Sequence, residues 1–156
     1  MIGDVELNSS TYYKYFNIHW EELVKNLGGD TDVAAKAVTT FVEAAAKAHP
    51  SGKQNSTAAF QLPDFVLVEI SDVNLPVSYA NAYLKPAQQD YQNTLMENAI
   101  QALNDYAEKL RQTYGINGRA AYITTTGKTI AFAQDVKTLP DLLAWVSQQI
   151  QEGAHA

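Results

Sequence analysis

Phe65–Ile70 reads FVLVEI, an almost continuously apolar run whose interpretation decides the fold. A run this short and this rich in aromatic and β-branched residues is a strand. Its continuity predicts a central position, covered on both faces. Ser71–Asn74 (SDVN) reads as a tight connection, and Val77–Leu84 as a second strand, antiparallel to the first. Upstream, Ser10–Trp20 (STYYKYFNIHW) has strand composition throughout. Its even positions Tyr12, Phe16, Ile18 and Trp20 share one face, and Tyr13 and Tyr15 load the other.

Helices fill the intervals. A short one is expected over Glu21–Leu27, stopped by Gly28-Gly29. A second begins at a cap on Asp30 or Thr31 and runs to about Ala48, with an apolar stripe of Val33, Ala37, Val38, Phe41, Val42 and Ala45. His49-Pro50 ends it, and Ser51–Thr57 (SGKQNST) is a surface loop. A long amphipathic helix is predicted over Asp90–Tyr114, with Leu95, Ala99, Leu103, Tyr106 and Leu110 inward and a stop at Gly115. Arg119–Thr125 and Thr129–Ala133 read as a hairpin around Thr126-Gly127-Lys128. Thr138 with Asp141 resembles a capping box for a last helix carrying Leu139, Leu142, Leu143, Val146 and Ile150. The order strand–helix–strand–strand–helix–strand plus a terminal helix is an α+β, split βαβ arrangement of the ferredoxin-like and RNA-recognition-like kind, in a single domain over 1–156.

Composition sets outer limits. A chain of 156 residues suits one domain, and 46% hydrophobic with 18% charged residues is globular. The absence of cysteine removes thiolate nucleophiles, disulfides and Cys-built zinc sites. No apolar run approaches a membrane span, and Asp4 and Glu6 do not suit a signal peptide, so a cytoplasmic protein with no membrane partner is expected.

Catalytic chemistry finds no support. His19, His49 and His155 lie far apart without ligand spacing, and His19 at the end of an aromatic strand reads as structural. There is no G-x-S-x-G, P-loop or G-x-G-x-x-G, and Gly28-Gly29 follows a helix instead of opening one. Glu21-Glu22 complements a helix dipole. No enzyme, metal or cofactor is expected.

Charge bears on nucleic acid. The net −6 argues against binding by bulk attraction. Its distribution differs: no acid lies between Glu43 and Asp64, between Asp72 and Asp90, or between Glu108 and Asp135. These windows hold Lys47, Lys53, Lys85, Lys109, Arg111, Arg119 and Lys128, seven of the eleven basic residues. Ser51–Thr57 combines a lysine, polar amides and hydroxyls, the groups that contact phosphates. Tyr12, Tyr13, Tyr15 and Phe16 are able to stack bases, but no RNP-type motif accompanies them.

Four blocks carry a family resemblance. Ile2–Gly29 (IGDVELNSSTYYKYFNIHWEELVKNLGG), Pro50–Asp72 (PSGKQNSTAAFQLPDFVLVEISD), Pro76–Pro86 (PVSYANAYLKP) and Tyr114–Ala121 (YGINGRAA) resemble, in order and spacing, the CasC-type backbone subunit of the type I-E CRISPR Cascade complex. The resemblance spans essentially the whole chain. It implies the C-terminal portion of a longer, hand-shaped, non-catalytic subunit that polymerises along CRISPR RNA, with further copies, other Cascade subunits and, indirectly, target DNA as partners. Met1–Asn8 would then be the returning arm of a thumb hairpin, within residues 1–8 and the loop residues Lys53, Gln54, Asn55 and Ser56 would lie near the guide backbone. Lys85 matches the first lysine of a DNA-attracting stretch, although Pro86, Ala87, Gln88 and Gln89 follow where some relatives carry more lysines. The alternative is an α+β protein–protein interaction module without a nucleic-acid role, using Tyr12–Trp20 as its interface.

Overall fold

A computed structural model describes residues 10–48 and 60–154. Helix α1 (Trp20–Asn26) and helix α2 (Thr31–Lys47) come first, followed by strand β1 (Phe65–Ile70), helix α3 (Leu95–Tyr114), strands β2 (Arg119–Thr124) and β3 (Gln134–Asp135), and helix α4 (Leu139–Ala154). The protein is α+β and carries the expected split βαβ arrangement with a C-terminal helix, around a sheet of order β1-β2-β3.

The helix termini follow local chemistry. Asp30 accepts the Val33 N–H at 2.9 Å to start α2. Thr94 and Glu97 form a reciprocal capping box on α3, and Thr138 accepts the Asp141 N–H at 3.2 Å before α4. His19 caps α1 by accepting the Glu22 N–H, the structural role expected of it. Gly115 ends α3 in the left-handed region (φ 65), where a side chain would be strained.

β1 pairs antiparallel with β2, Leu67 opposite Tyr122 and Glu69 opposite Ala120. Period-two alternation puts Phe65, Leu67 and Glu69 with Ala120 and Tyr122 on one face, and Val66, Val68 and Ile70 with Ala121 and Ile123 on the other. The first face packs under α3: Tyr122, Ile100 and Ile130 form one buried cluster, and Tyr79, Leu103 and Ala107 another. Helix α4 covers the second face and packs in turn on α2. Its Leu142 and Val146 are fully buried, as the sequence pattern predicts.

Four strand expectations are corrected. β1 is half-buried along its whole length and lies at the sheet edge; β2 occupies the centre. Ser10–Trp20 forms no strand: residues 10–19 are irregular and α1 already begins at Trp20. Val77–Leu84 is no strand but carries a 3-10 turn at Ala80–Tyr83, where the Tyr79 N–H donates to the Tyr13 hydroxyl (3.0 Å) and the Ala80 N–H to Ser78 Oγ instead of to a neighbouring strand. The hairpin over Thr129–Ala133 is also absent. Thr124 and Thr126 hydroxyls accept the N–H groups of Thr126 and Lys128, so the chain turns out of the sheet. Ile130 and Phe132 then enter the core, and the chain returns as β3, parallel to β2.

A charged pair lies in this core, which also buries Asn104. Glu69, on the α3 face of β1, meets the guanidinium of Arg111, which is only 9% exposed. Arg111 also donates to Gly118 O at 2.6 Å and stacks 4.6 Å from the Phe132 ring centroid, while Tyr79 Oη donates to Glu69 at 2.9 Å. Burial raises the Glu69 pKa, and the Tyr79 hydroxyl and Arg111 partly offset this. Arg111→Met keeps the volume but strands the Glu69 carboxylate and the Gly118 carbonyl. It should lower stability by about 3–5 kcal/mol in urea unfolding, whereas Arg119→Met at the partly exposed pair should cost about 1 kcal/mol or less.

Candidate nucleic-acid interface

Lys85 is the one expected site residue among the described residues; Lys53, Gln54, Asn55 and Ser56, and the thumb arm at 1–8, lie outside them. Lys85 is exposed, two residues beyond Tyr83 at the end of the 3-10 turn. Pro86 biases its backbone towards extended geometry. The turn beneath it is anchored: Tyr79 is buried in the core and Tyr83 packs against the same cluster. The rings of Tyr83 and Tyr13 lie 5.8 Å apart, and burial pushes the Tyr83 hydroxyl up to about 12. The backbone carrying Lys85 is therefore held by aromatic packing.

The segment after it is fixed by hydrogen bonds. Asp90 Oδ1 accepts the N–H groups of Gln92 (2.7 Å) and Asn93 (2.8 Å), and Asn98 Nδ2 donates to both Gln88 O and Asp90 Oδ2. Led by the Asn98 contact, these bonds pull the Asp90 carboxyl down to about 2. This rigid turn holds Tyr91 wholly in solvent.

The acid-free windows of the sequence are not acid-free in space. Arg111 is paired with Glu69, and Arg119 lies 3.6 Å from Asp72 and 4.0 Å from Glu152. Lys47 pairs with Glu43, and Lys128 donates to Asn93 Oδ1 at 2.7 Å. Outside the windows, Lys25 pairs with Glu22 and Lys137 with Asp135. Among the described residues, Lys14, Lys36, Lys85 and Lys109 are exposed lysines with no carboxylate within bridging distance. Sequence reading missed Lys36, because Asp32 and Glu43 flank it; both acids lie on the same helix, yet neither bridges to it. It also counted Arg111 as surface charge. The signal against that was present: Ala99, Leu103, Ala107 and Arg111 recur every fourth residue and are all buried on α3.

The aromatic run is not a stacking platform of the RNA-recognition kind, since it lies on no sheet. Tyr13 is held by Tyr79 and Tyr83, and the Phe16 ring meets Phe41 of α2 edge-on at 5.3 Å. No group of three or more metal-ligating side chains occurs among the described residues, where also no helix is long and apolar enough to cross a membrane.

The model of the CT1975-like protein family matches residues 1–146. The chain is similar to one in a solved structure titled "CRISPR RNA-guided surveillance complex", with TM-score 0.71 and 33% identity over 85% of this chain and 50% of that one. It is also similar to a chain of a "CRISPR RNA-guided surveillance complex, pre-nicking", with TM-score 0.73 and 32% identity over 84% of this chain and 35% of that one. It thus spans half or less of the length of those solved chains. No curated protein matches.

The Asp90 turn gives a pH test. Its folded pKa lies below the ordinary 3.8, so its contribution is fully present above about pH 4 and is lost as pH falls towards 2. Asp90→Ala should therefore lower the melting temperature at pH 6 but have little effect near pH 2, as thermal scans at the two pH values would read.

Proposed function

The chain belongs to the CT1975-like protein family, and on that premise we propose that it is the C-terminal portion of a backbone subunit of a Cascade-type surveillance complex, of type I-E, that binds CRISPR RNA without catalysing a reaction. The observation that carries this reading is the likeness, at 33% identity and over 85% of the chain, to a protein chain of an RNA-guided surveillance complex. Further copies of the subunit, other subunits of the complex and, indirectly, target DNA are its partners on this reading, in the cytoplasm.

The charge distribution supports a limited share in nucleic-acid contact. Backbone contacts to phosphate need exposed cations that are not already paired, and most of the basic residues here are engaged internally. In this proposal Lys53, with Gln54, Asn55 and Ser56, contacts the guide backbone. Lys85, on its anchored turn, attracts target DNA. A single lysine on a rigid turn supplies charge without sequence readout, which suits a subunit that must accept any guide.

Anisotropy titration of labelled single-stranded RNA against the subunit containing this chain tests the reading. Lys53→Glu should weaken binding about tenfold and lower the slope of log affinity against log salt by roughly 0.7 per phosphate contact removed. Lys85→Glu should slow association with duplex target DNA and leave guide affinity unchanged. Lys25→Glu, which alters a lysine already paired with Glu22, is the control and should alter neither. Unchanged affinity and slope in Lys53→Glu would overturn the role given to that loop.

A further inference from the structure

Tyr91 stands at the tip of a turn that folding has fixed without burying it. The Asp90 N–H donates to the Asn93 carbonyl at 3.1 Å, and Asp90 Oδ1 accepts the Gln92 and Asn93 N–H groups, so the turn is closed from both ends. Asn98, in the first turn of α3, joins Asp90 Oδ2 to the Gln88 carbonyl at the turn's entrance. The whole Tyr91 side chain nevertheless lies in solvent, whereas Tyr79 and Tyr122 are buried and Tyr83 packs against the core. A flat ring on a backbone already ordered loses little further freedom when a second flat group meets it.

Lysines lie at both ends of this turn. Lys85 is exposed on the segment that leads into it, three residues before Gln88. At its exit, Lys128 Nζ donates to Asn93 Oδ1 at 2.7 Å, a contact that uses one of the three ammonium donors. The carboxylates nearby serve the local backbone: Asp90 makes the bonds just described, and Glu97 accepts the Thr94 N–H and hydroxyl at 2.7 and 2.8 Å. The ring's sequence neighbours Gln88, Gln89, Asp90, Gln92 and Asn93 are all polar. An aromatic anchor for another protein sits in an apolar surround that excludes water, and these neighbours do not supply one. A ring flanked by cations on a polar turn instead matches the demands of a single nucleic-acid strand, a stack for the base and charge for its phosphates.

We propose that Tyr91 stacks on an unpaired base of target DNA, with Lys85 and Lys128 contacting the phosphates beside that base. The proposal rests on the nucleic-acid reading above and adds to it a contact that charge alone does not supply. Every base has a flat face, so a stack holds a strand without choosing its sequence, as a surface for varied targets requires. Salt distinguishes the two contributions: phosphate contacts weaken as salt rises, and the stack does not carry that dependence.

Anisotropy titration of labelled oligodeoxythymidine against the RNA-loaded subunit that contains this chain tests it, beside an abasic oligomer of equal length. Tyr91→Ala should weaken binding of the thymidine oligomer about tenfold and leave the salt slope and the abasic oligomer unaffected. Its melting temperature should not move, because the ring it removes lies in solvent. Tyr91→Phe should bind like the unmodified chain. Tyr114→Ala, which removes an exposed tyrosine at the opposite end of α3, should change nothing. Affinity for single-stranded RNA, measured on the free subunit, should be the same with and without the Tyr91 ring. A Tyr91→Ala variant that keeps full affinity for the thymidine oligomer overturns the stack while leaving the nucleic-acid reading in place. So does a loss that falls equally on the abasic oligomer, and an equal loss on RNA overturns the assignment to target DNA. An unmodified subunit that binds neither DNA oligomer nor RNA overturns both readings.

Discussion

A carboxylate on the inward face of an edge strand is the constraint around which the molecule is arranged. Glu69 cannot sit under α3 as an unpaired charge, since an uncompensated ion in that environment costs several kcal/mol. Arg111 meets it from α3, and its guanidinium has donors left for the Gly118 carbonyl, where β2 begins, and a flat face for Phe132. Tyr79 completes the acceptor's demands and fixes the 3-10 turn. One ion pair thus sets the position of β1, α3, the start of β2 and the β2–β3 connection. Through Tyr79 and the Tyr13 hydroxyl its influence reaches the N-terminal segment. The close approach of the chain at Gly118, where a Cβ would sit 3.0 Å from Ile70 O, belongs to the same junction.

The helices were legible because their signals are local. Thr94 with Glu97, Asp30 with Val33 and Thr138 with Asp141 act within one turn, and the buried faces of α3 and α4 follow helical periodicity. β1 was equally clear from its composition. Ser10–Trp20, Val77–Leu84 and Thr129–Ala133 were misread for a shared reason. Each has strand-like residues, but a strand exists only where its main chain finds a partner: Ser10–Ile18 meets no backbone partner among the described residues, and in the other two segments a tyrosine hydroxyl, serine and threonine side chains, and Asn104 Oδ1 bonding Ala131 N take donors instead. No sequence pattern announces such long-range competition.

The candidate site shows the same division. Lys85 and the resemblance blocks can be read directly from the chain, and the family assignment agrees with a Cascade subunit. The electrostatic surface cannot be read that way. A window free of acids along the chain is filled across space by Glu69, Asp72 and Glu152. What survives as free positive charge among the described residues is a few separated lysines, which fits a piece of a binding surface better than a whole one.

Arg111 is an internal structural cation, paired with Glu69 and buried under the sheet, and not part of an exposed basic surface. The chain has only two arginines, so the other serves as an internal reference. Side-chain ¹⁵N–¹H spectra of the guanidinium groups test the claim directly. Arg111 should give separate, slowly rotating Nη–H resonances protected from solvent, while Arg119, 38% exposed, should give one averaged and rapidly exchanging signal. Averaged, fast-exchanging signals from both arginines would contradict the account, because Arg111 would then be solvated and the core would lack the pair on which it depends.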